Sequence, residues 1–562
     1  MIRWTPVLLS LLCAPAWAQT AEPRIIGGDN APAGQWPWMA QVDVFFTASN
    51  EVGLCGGSHI ARNWIITAGH CVVDENDERV GDNDVSIRLG SVFLYREGQP
   101  YAGTSYTSTG VYTPDNFIRA QGRQFDNDIA LVRIDGPAMS ERPSLIGQAR
   151  FQDIQSRAFA ARDEAVTALG WGVTQPGGNT PAQRLQEVQL DYVRTDSCLS
   201  QWGSGNFNAD TMVCADELNP PDGQQQDTCV GDSGGPLFIG RDSDPYIVGL
   251  TSYGQTNCAD DLPSVYTNLA SQVGFVEQAT ATAGDPLVDL ALENTGERLY
   301  AAAAGTLSRT LTLANRGLRN SVTGANIAVS DGGGLDVRLD GRSCTVVNDP
   351  CYEAQDTLVP NREQQVGLTA SYQGLATPAR TTLTLDAGVD QEEYRDKNNR
   401  HEITLIFSDQ ADLSVSGQVT EASRDGDGQG VAEVRVTVSN LSTVSGAAAS
   451  QVAVSLSLPA GTTVRDSSVP CDTVCSPGAL APGESTDFTL TLATGTAQAG
   501  TLGLSVDANG GDFPTDNNDD AVALSYSASA DTDSGGGGGG GGGTLGLAVL
   551  MLALAGALRH RD

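Results

Sequence analysis

Gly231-Asp232-Ser233-Gly234-Gly235-Pro236 sets a hydroxyl on a glycine-rich turn. A serine hydroxyl is a poor nucleophile at neutral pH. It needs an imidazole to take its proton, and the imidazole needs a carboxylate to fix its tautomer and stabilise its charged form. Two earlier segments supply these groups. Thr67-Ala68-Gly69-His70-Cys71 carries a histidine near the end of an apolar run, and Asp126-Asn127-Asp128-Ile129-Ala130-Leu131 carries a carboxylate entering another. The glycines around Ser233 let two backbone N–H groups face a developing oxyanion with no side chain in the way. Taken singly, a histidine in an apolar segment is more often structural, and a lone Asp or Ser more often still. Their occurrence together, in the order His70, Asp128, Ser233, favours a nucleophilic mechanism.

These segments closely resemble the trypsin-like serine endopeptidases of the chymotrypsin fold, over residues 25 to about 278. The chain order His, Asp, Ser matches that family and not the subtilisins or α/β-hydrolases. The resemblance implies an all-β, double β-barrel domain over 25–280, with His70 as general base, Asp128 as its orienting partner and Ser233 as nucleophile. Gly231 and Ser233 would donate the oxyanion-hole N–H groups, and no cofactor or metal is implied. Arg24-Ile25-Ile26-Gly27-Gly28 resembles the family's zymogen cleavage site. Cutting after Arg24 would free an amino terminus at Ile25 to pair with Asp232, making 19–24 a propeptide. Arg24 is itself a trypsin-like target, so self-activation is an added hypothesis. Three bridges are implied: Cys55 with Cys71, Cys198 with Cys214, and Cys229 with Cys258. Gly170-Trp171-Gly172 matches a core segment and is read as packing.

Substrate choice follows from the same register. Asp227 occupies the position that forms the base of the primary pocket, which implies cleavage after Arg or Lys through a charge-assisted hydrogen bond. Thr228 offers a hydroxyl to a bound Lys, and Ser252-Tyr253-Gly254 resembles the strand that pairs with the substrate backbone. One position departs: in Leu262-Pro263-Ser264-Val265-Tyr266, Ser264 stands where the family usually has glycine. Its hydroxymethyl group would narrow the slot or add a hydrogen bond, so an altered primary specificity is the alternative. Ser91 replaces the acid that opens the calcium loop of some members, so no calcium requirement is expected there. The acid-rich stretch 74–84 reads as a solvated loop.

The chain has 562 residues, with 32 Lys+Arg against 68 Asp+Glu, for a formal net charge of −36. That balance excludes a general nucleic-acid binder. Lys397 is the single lysine, and the acid excess is spread over both halves, as on a solvated exterior. Arg3, the apolar stretch 6–12 and Ala16-Trp17-Ala18 read as a signal peptide cut by signal peptidase before Gln19. Cys13 leaves with it. The remaining ten cysteines, an even number in an exported chain, favour disulfides.

Beyond 285 tryptophan disappears and strand-like alternation takes over, as in 306–313, 432–438 and 453–458, after an Ala/Thr/Gly linker at 279–284. Two segments read as copies of one unit. Each opens with Asp-Leu (Asp289, Asp412), carries a close cysteine pair (Cys344 with Cys351; Cys471 with Cys475) and ends on Asn-Asn (Asn398-Asn399; Asn517-Asn518). A recurrence of about 120 residues is domain duplication rather than a solenoid. The segments resemble bacterial immunoglobulin-like (Ig-like) β-sandwiches, over 285–408 and 411–528. The acidic run at Asp425 lacks the bidentate acid an EF-hand needs and reads as a turn.

A glycine linker (529–543) leads to an apolar run and basic end (544–562). Its fourteen apolar residues reach about 21 Å as a helix, short of a roughly 30 Å hydrocarbon core. This order resembles the GlyGly-CTERM sorting tail of Gram-negative bacteria, whose transmembrane helix a rhomboid-type protease removes. A plain tail anchor is the alternative. The combined expectation is a secreted or surface-associated, monomeric endopeptidase acting on protein substrates after export by a secretion apparatus. The rival from another class is an adhesive surface protein with a non-catalytic protease-like domain.

Overall fold

In Val85–Leu89, Val85, Ile87 and Leu89 are fully buried while Ser86 and Arg88 between them are only partly covered. That period of two is what a strand needs when one face meets a core. The computed structural model describes residues 25–526, apart from 97–102, 118–124, 137–140, 158–164, 219–224, 241–244, 256, 297, 333, 346–347, 373–377, 425–428 and 496–498. The expected signal segment, the propeptide with Arg24, the Asp425 turn and the glycine-apolar tail lie outside the described residues. Among those residues, no helix is long and apolar enough to cross a membrane. The chain divides into two compact units between Leu287 and Val288.

Six strands of the first unit close into a barrel: Met39–Phe46, Glu51–Ala61, Trp64–Thr67, Ala130–Ile134, Thr104–Tyr112 and Val85–Leu89, the last pairing back onto the first. Its interior holds Val42, Val44, Ile65, Val85, Ile87, Val132 and Ile134. Six more strands, Gln186–Val193, Met212–Asp216, Ser264–Asn268, Tyr246–Tyr253, Pro236–Ile239 and Ala165–Gly170, form a second ring, shut by the pairing of 165–170 with 186–191. Closure leaves no free sheet edge. The expected double barrel is therefore present.

A helix, Leu269–Thr282, closes the first unit, with the Asn268 side chain accepting from the Ala270 N–H at its start. The linker expected at 279–284 is corrected here, since most of it is the last helical turn. Alanine is a strong helix former, and the break comes only at Gly284, whose φ of 76° suits a residue without Cβ.

The second unit contains two sheet pairs. In the first, two five-stranded sheets share a core that includes Leu290, Leu311, Ile327, Val366, Leu383 and Phe407. In the second, two four-stranded sheets share Val434, Val436, Leu490, Leu504 and Phe488. All five expected disulfides are formed.

Candidate active site

His70 lies in a single helical turn, Gly69–Cys71, directly after the strand Trp64–Thr67. The Cys55–Cys71 bridge ties that turn to the neighbouring strand Glu51–Ala61. Asp128 stands just before the strand Ala130–Ile134, which pairs with Trp64–Thr67, so two segments far apart in sequence meet at one barrel end. The His70 N–H donates to Asp128 Oδ1 at 2.8 Å, and His70 Nδ1 lies 2.7 Å from Asp128 Oδ2. The aspartate is 1% exposed and the histidine 14%. Ser252 adds a hydroxyl donor to Asp128 Oδ2 at 2.5 Å, and Thr267 one to the Asp128 carbonyl at 2.6 Å. This carboxylate thus holds the ring in one tautomer and orientation, leaving Nε2 as an acceptor. The nearby His59 is different: it is fully buried, and burial lowers its pKa to about 4. It belongs to the core.

The Ser233 turn is fixed through its backbone. The Ser233 carbonyl accepts from Gly56 N–H at 2.8 Å, next to the Cys55 bridge, and Gly234 N–H donates to the Thr251 carbonyl at 2.8 Å. Gly234 has φ +74°, and a Cβ there would sit 2.1 Å from Thr67 Oγ1 and 2.8 Å from Ala68 N. Only glycine lets the Ser233 turn lie this close to the segment leading into His70. The amides of Asp232, Gly234 and Gly235 are all paired, whereas those of Gly231 and Ser233 donate to no group among the described residues. The Ser233 hydroxyl likewise bonds no described residue. Two unspent N–H donors at a partly buried serine are what an oxyanion requires.

Asp232 is completely buried. It accepts from Gly172 N–H at 2.6 Å and Cys229 N–H at 2.8 Å. A Cβ on Gly170 would fall 1.9 Å from its carboxylate, and one on Gly172 2.4 Å. The Gly170-Trp171-Gly172 segment, expected to be packing alone, is therefore also the seat of this acid. Burial raises the Asp232 pKa to about 7. Ile25 is fully buried as well, and Ile26 bridges to Asp227, whose N–H donates to the Ile26 carbonyl at 3.1 Å.

Asp227 is 4% exposed. Its Oδ1 accepts from Thr228 N–H at 2.7 Å and its Oδ2 from Ala259 N–H at 2.9 Å. The Cys229–Cys258 bridge holds those two amides in place. The Thr228 hydroxyl lies 3.0 Å from Tyr266 Oη, so the carboxylate is held by the two amides. Burial raises its pKa to about 6, and that of Asp216 rises to about 6 through burial and repulsion from Asp227. Ser264 and Gly254 come together because Tyr246–Tyr253 pairs with Ser264–Asn268; a Cβ on Gly254 would meet Ser264 Oγ at 2.9 Å.

Sequence reading missed several contributors. Phe125 stacks on the His70 ring with centroids 4.7 Å apart, and Tyr253 packs edge-on against Phe125 and Trp202. Ala259 serves only through its amide, for which a side chain gives no signal. Phe125 carries φ 44°, left-handed backbone that no local motif announced.

The trypsin family model matches residues 25–276. The chain is similar to the proclotting enzyme of Tachypleus tridentatus, at 31% identity over 266 residues, which is 46% of this chain and 67% of that protein. It is also similar to serine proteinase stubble of Drosophila melanogaster, at 32% identity over 259 residues, covering 44% of this chain but 30% of that protein. Matched residues, double barrel and site geometry coincide in one region, and on that basis the chain belongs to the trypsin family of serine proteases.

Proposed function

We propose that this protein is a secreted serine endopeptidase that hydrolyses peptide bonds after Arg or Lys. The observation that carries this reading is the His70–Asp128 pair set beside a serine turn with two unspent amides. Ser233 Oγ attacks the scissile carbonyl while His70 Nε2 takes its proton and later delivers it to the leaving amine; Asp128 stabilises the imidazolium between those steps. The Gly231 and Ser233 N–H groups receive the oxyanion. The Ser233–His70 hydrogen bond is one that forms with substrate in place, as catalytic contacts often tighten only then. Asp227 attracts the substrate cation, with Thr228 and Ser264 beside it, and Ser252 and Gly254 border the strand edge that pairs with the substrate backbone.

Maturation follows cleavage after Arg24. The freed Ile25 ammonium is the countercharge that the buried Asp232 lacks, and their pairing orders the Gly231–Ser233 amides. Signal peptidase removes 1–18 during export. The sheet pairs at 285–408 and 411–528 act as Ig-like spacers or partner-binding modules. The tail at 529–562 directs sorting at a Gram-negative surface, with a rhomboid-type protease as its processing partner.

Stoichiometric organophosphate labelling at Ser233, with matched chromogenic peptides ending in Arg, Lys or Phe, tests the activity. Labelling together with cleavage of the cationic peptides is expected. No labelling would leave the adhesive reading, and preference for Phe would discard the Arg/Lys assignment. Ser233→Ala protein from a host without trypsin-like proteases should begin at Gln19 if activation is autocatalytic.

A further inference from the structure

We propose that the outer face of the first barrel carries a second docking site, which takes an apolar side chain flanked by Arg or Lys about four residues beyond the cleaved bond of a protein substrate. The inference rests on the proteolytic reading above and deepens it by naming a substrate feature away from the primary pocket.

In Met39–Phe46 every second residue, Ala40, Val42 and Val44, belongs to the barrel core. Gln41, Asp43 and Phe45 therefore face outward, opposite Gly56, Leu54 and Val52 of the neighbouring strand. Phe45 is 37% exposed and Val52 67%. They border a cavity of about 430 Å³ whose lining includes Asp43, Asp84, Arg88 and Tyr95. The charges at its base are spent on one another. Arg88 pairs with Asp43 and lies 3.8 Å over the Tyr95 ring, and Gln41 Nε2 donates to Asp43 at 3.0 Å. What the cavity offers a ligand is apolar surface on a fixed frame, since the Phe45 N–H donates to the Asp84 carbonyl at 2.8 Å.

The same face leads to the nucleophile. Val52, Leu54 and Gly56 alternate along one side of Glu51–Ala61, and a Cβ on Gly56 would sit 2.9 Å from Gly235 Cα. The Gly56 N–H is also the donor that holds the Ser233 carbonyl. Four residues at about 3.4 Å each put Val52 roughly 14 Å from the Ser233 turn, a span that an extended substrate covers in about four residues. Direction follows from the two barrels. The residue before the cleaved bond enters the Asp227 pocket and pairs near Ser252 and Gly254, beside the second barrel, so the part that crosses to the first barrel is the part after the bond.

Charge selects the flanking residues. Asp84 ends a stretch, Asp74 to Asp84, that holds six acids against Arg79 alone. Glu75, Asp77 and Glu78 are exposed and form no ion pair among the described residues. A Lys or Arg next to the seated apolar residue is attracted by that field, whereas Asp or Glu is repelled.

The test compares two peptides of equal length on mature protein. Both have Arg before the cleaved bond and Ser-Gly-Ala after it; one continues Leu-Arg-Arg and the other Ser-Glu-Glu. Because the ratio of their kcat/KM values is taken on one preparation, partial misfolding does not move it. The wild type should cut the Leu-Arg-Arg peptide about tenfold better, through KM with kcat unchanged, as seating one apolar side chain requires. Val52→Asp and Phe45→Ser should each remove most of that ratio. Glu75→Lys combined with Glu78→Lys, or about 0.5 M salt, should lower it part of the way. A wild-type ratio under twofold, or one that Val52→Asp leaves unchanged, overturns the proposal. If neither long peptide nor a short chromogenic Arg peptide is cut, the failure is that of the proteolytic reading itself.

Discussion

Asp227 and Asp232 in the first unit, and Asp289 and Asp412 in the second, are all at most 4% exposed, yet their partners differ in kind. The first two are held by backbone amides. The second two are held by basic and amide side chains. Asp289 pairs with Arg395 and accepts from Asn398 Nδ2 at 2.9 Å. Asp412 accepts from Arg298 Nη1 at 3.0 Å, Tyr300 Oη at 2.6 Å and Asn517 Nδ2 at 2.8 Å. A buried carboxylate neutralised inside its own fold is a structural staple. One given hydrogen bonds but, among the described residues, no countercharge, with burial raising its pKa to about 6 or 7, suits the cation that the proposed function would bring to it.

The second unit contains a finer contrast. Its two copies share a network: Asn398 with Asp289 and Asn399 with Glu393 in one, Asn517 with Asp412 and Asn518 with Asp512 in the other. The first copy draws its countercharge from its own Arg395, three residues before Asn398. The corresponding place in the second copy is Pro514, and the charge comes from Arg298 of the first copy. The duplicated copies are consequently not interchangeable.

The deepest cut into this contrast is at the site itself. Ser233→Ala and His70→Ala should each lower kcat by about 10⁶, and Asp128→Asn by about 10⁴ through the wrong tautomer. Steady-state hydrolysis of a cationic peptide measures this, with thermal melting unchanged; parallel loss of folding would mean that these residues are structural after all. Asp227→Asn should then remove about 3 to 5 kcal/mol of selectivity for cationic over neutral substrates, read from paired kcat/KM values.

On the structural side, Arg298→Met should cost the second unit about 3 to 5 kcal/mol, since it strands Asp412 as an uncompensated buried charge. Denaturant unfolding of the Ser233→Ala full chain would detect it. The double variant Arg298→Met with Asp412→Leu should recover much of the loss, and peptide hydrolysis in otherwise wild-type protein should not change. No destabilisation would mean that Asp412 draws its countercharge elsewhere.

The smallest effect is a pH dependence. Below about pH 6 the Asp227 carboxyl takes up a proton and loses its charge. Inhibition by benzamidine, a permanent cation across this range, should therefore weaken by up to tenfold per pH unit as the pH falls below about 6, and level off above it. A flat profile between pH 4 and 8 would separate Asp227 from the cation pocket.

The proposed chemistry of the site was legible because nucleophilic catalysis restricts residue types, and His70, Asp128 and Ser233 each sit in a short segment whose neighbours point to the role proposed for it. The repeat markers were legible as markers only. Asp289 and Asn398 are 109 positions apart, and no local pattern says that they touch. Gly170 and Gly172 read as packing because the acid they make room for lies 60 residues on.

The sequence by itself pointed to the family and the all-β class and, through that resemblance, to three of the cysteine pairings, and it named the groups proposed to react. These depend on short-range periodicity and on motifs whose spacing the chemistry imposes. The tertiary structure alone decided which buried acids have a countercharge among the described residues, that Ala259 offers its amide to Asp227, and that Ser264 lies against Gly254. Those are properties of barrel closure and strand register. They bring together atoms, often backbone atoms, whose chemistry the side-chain sequence does not encode.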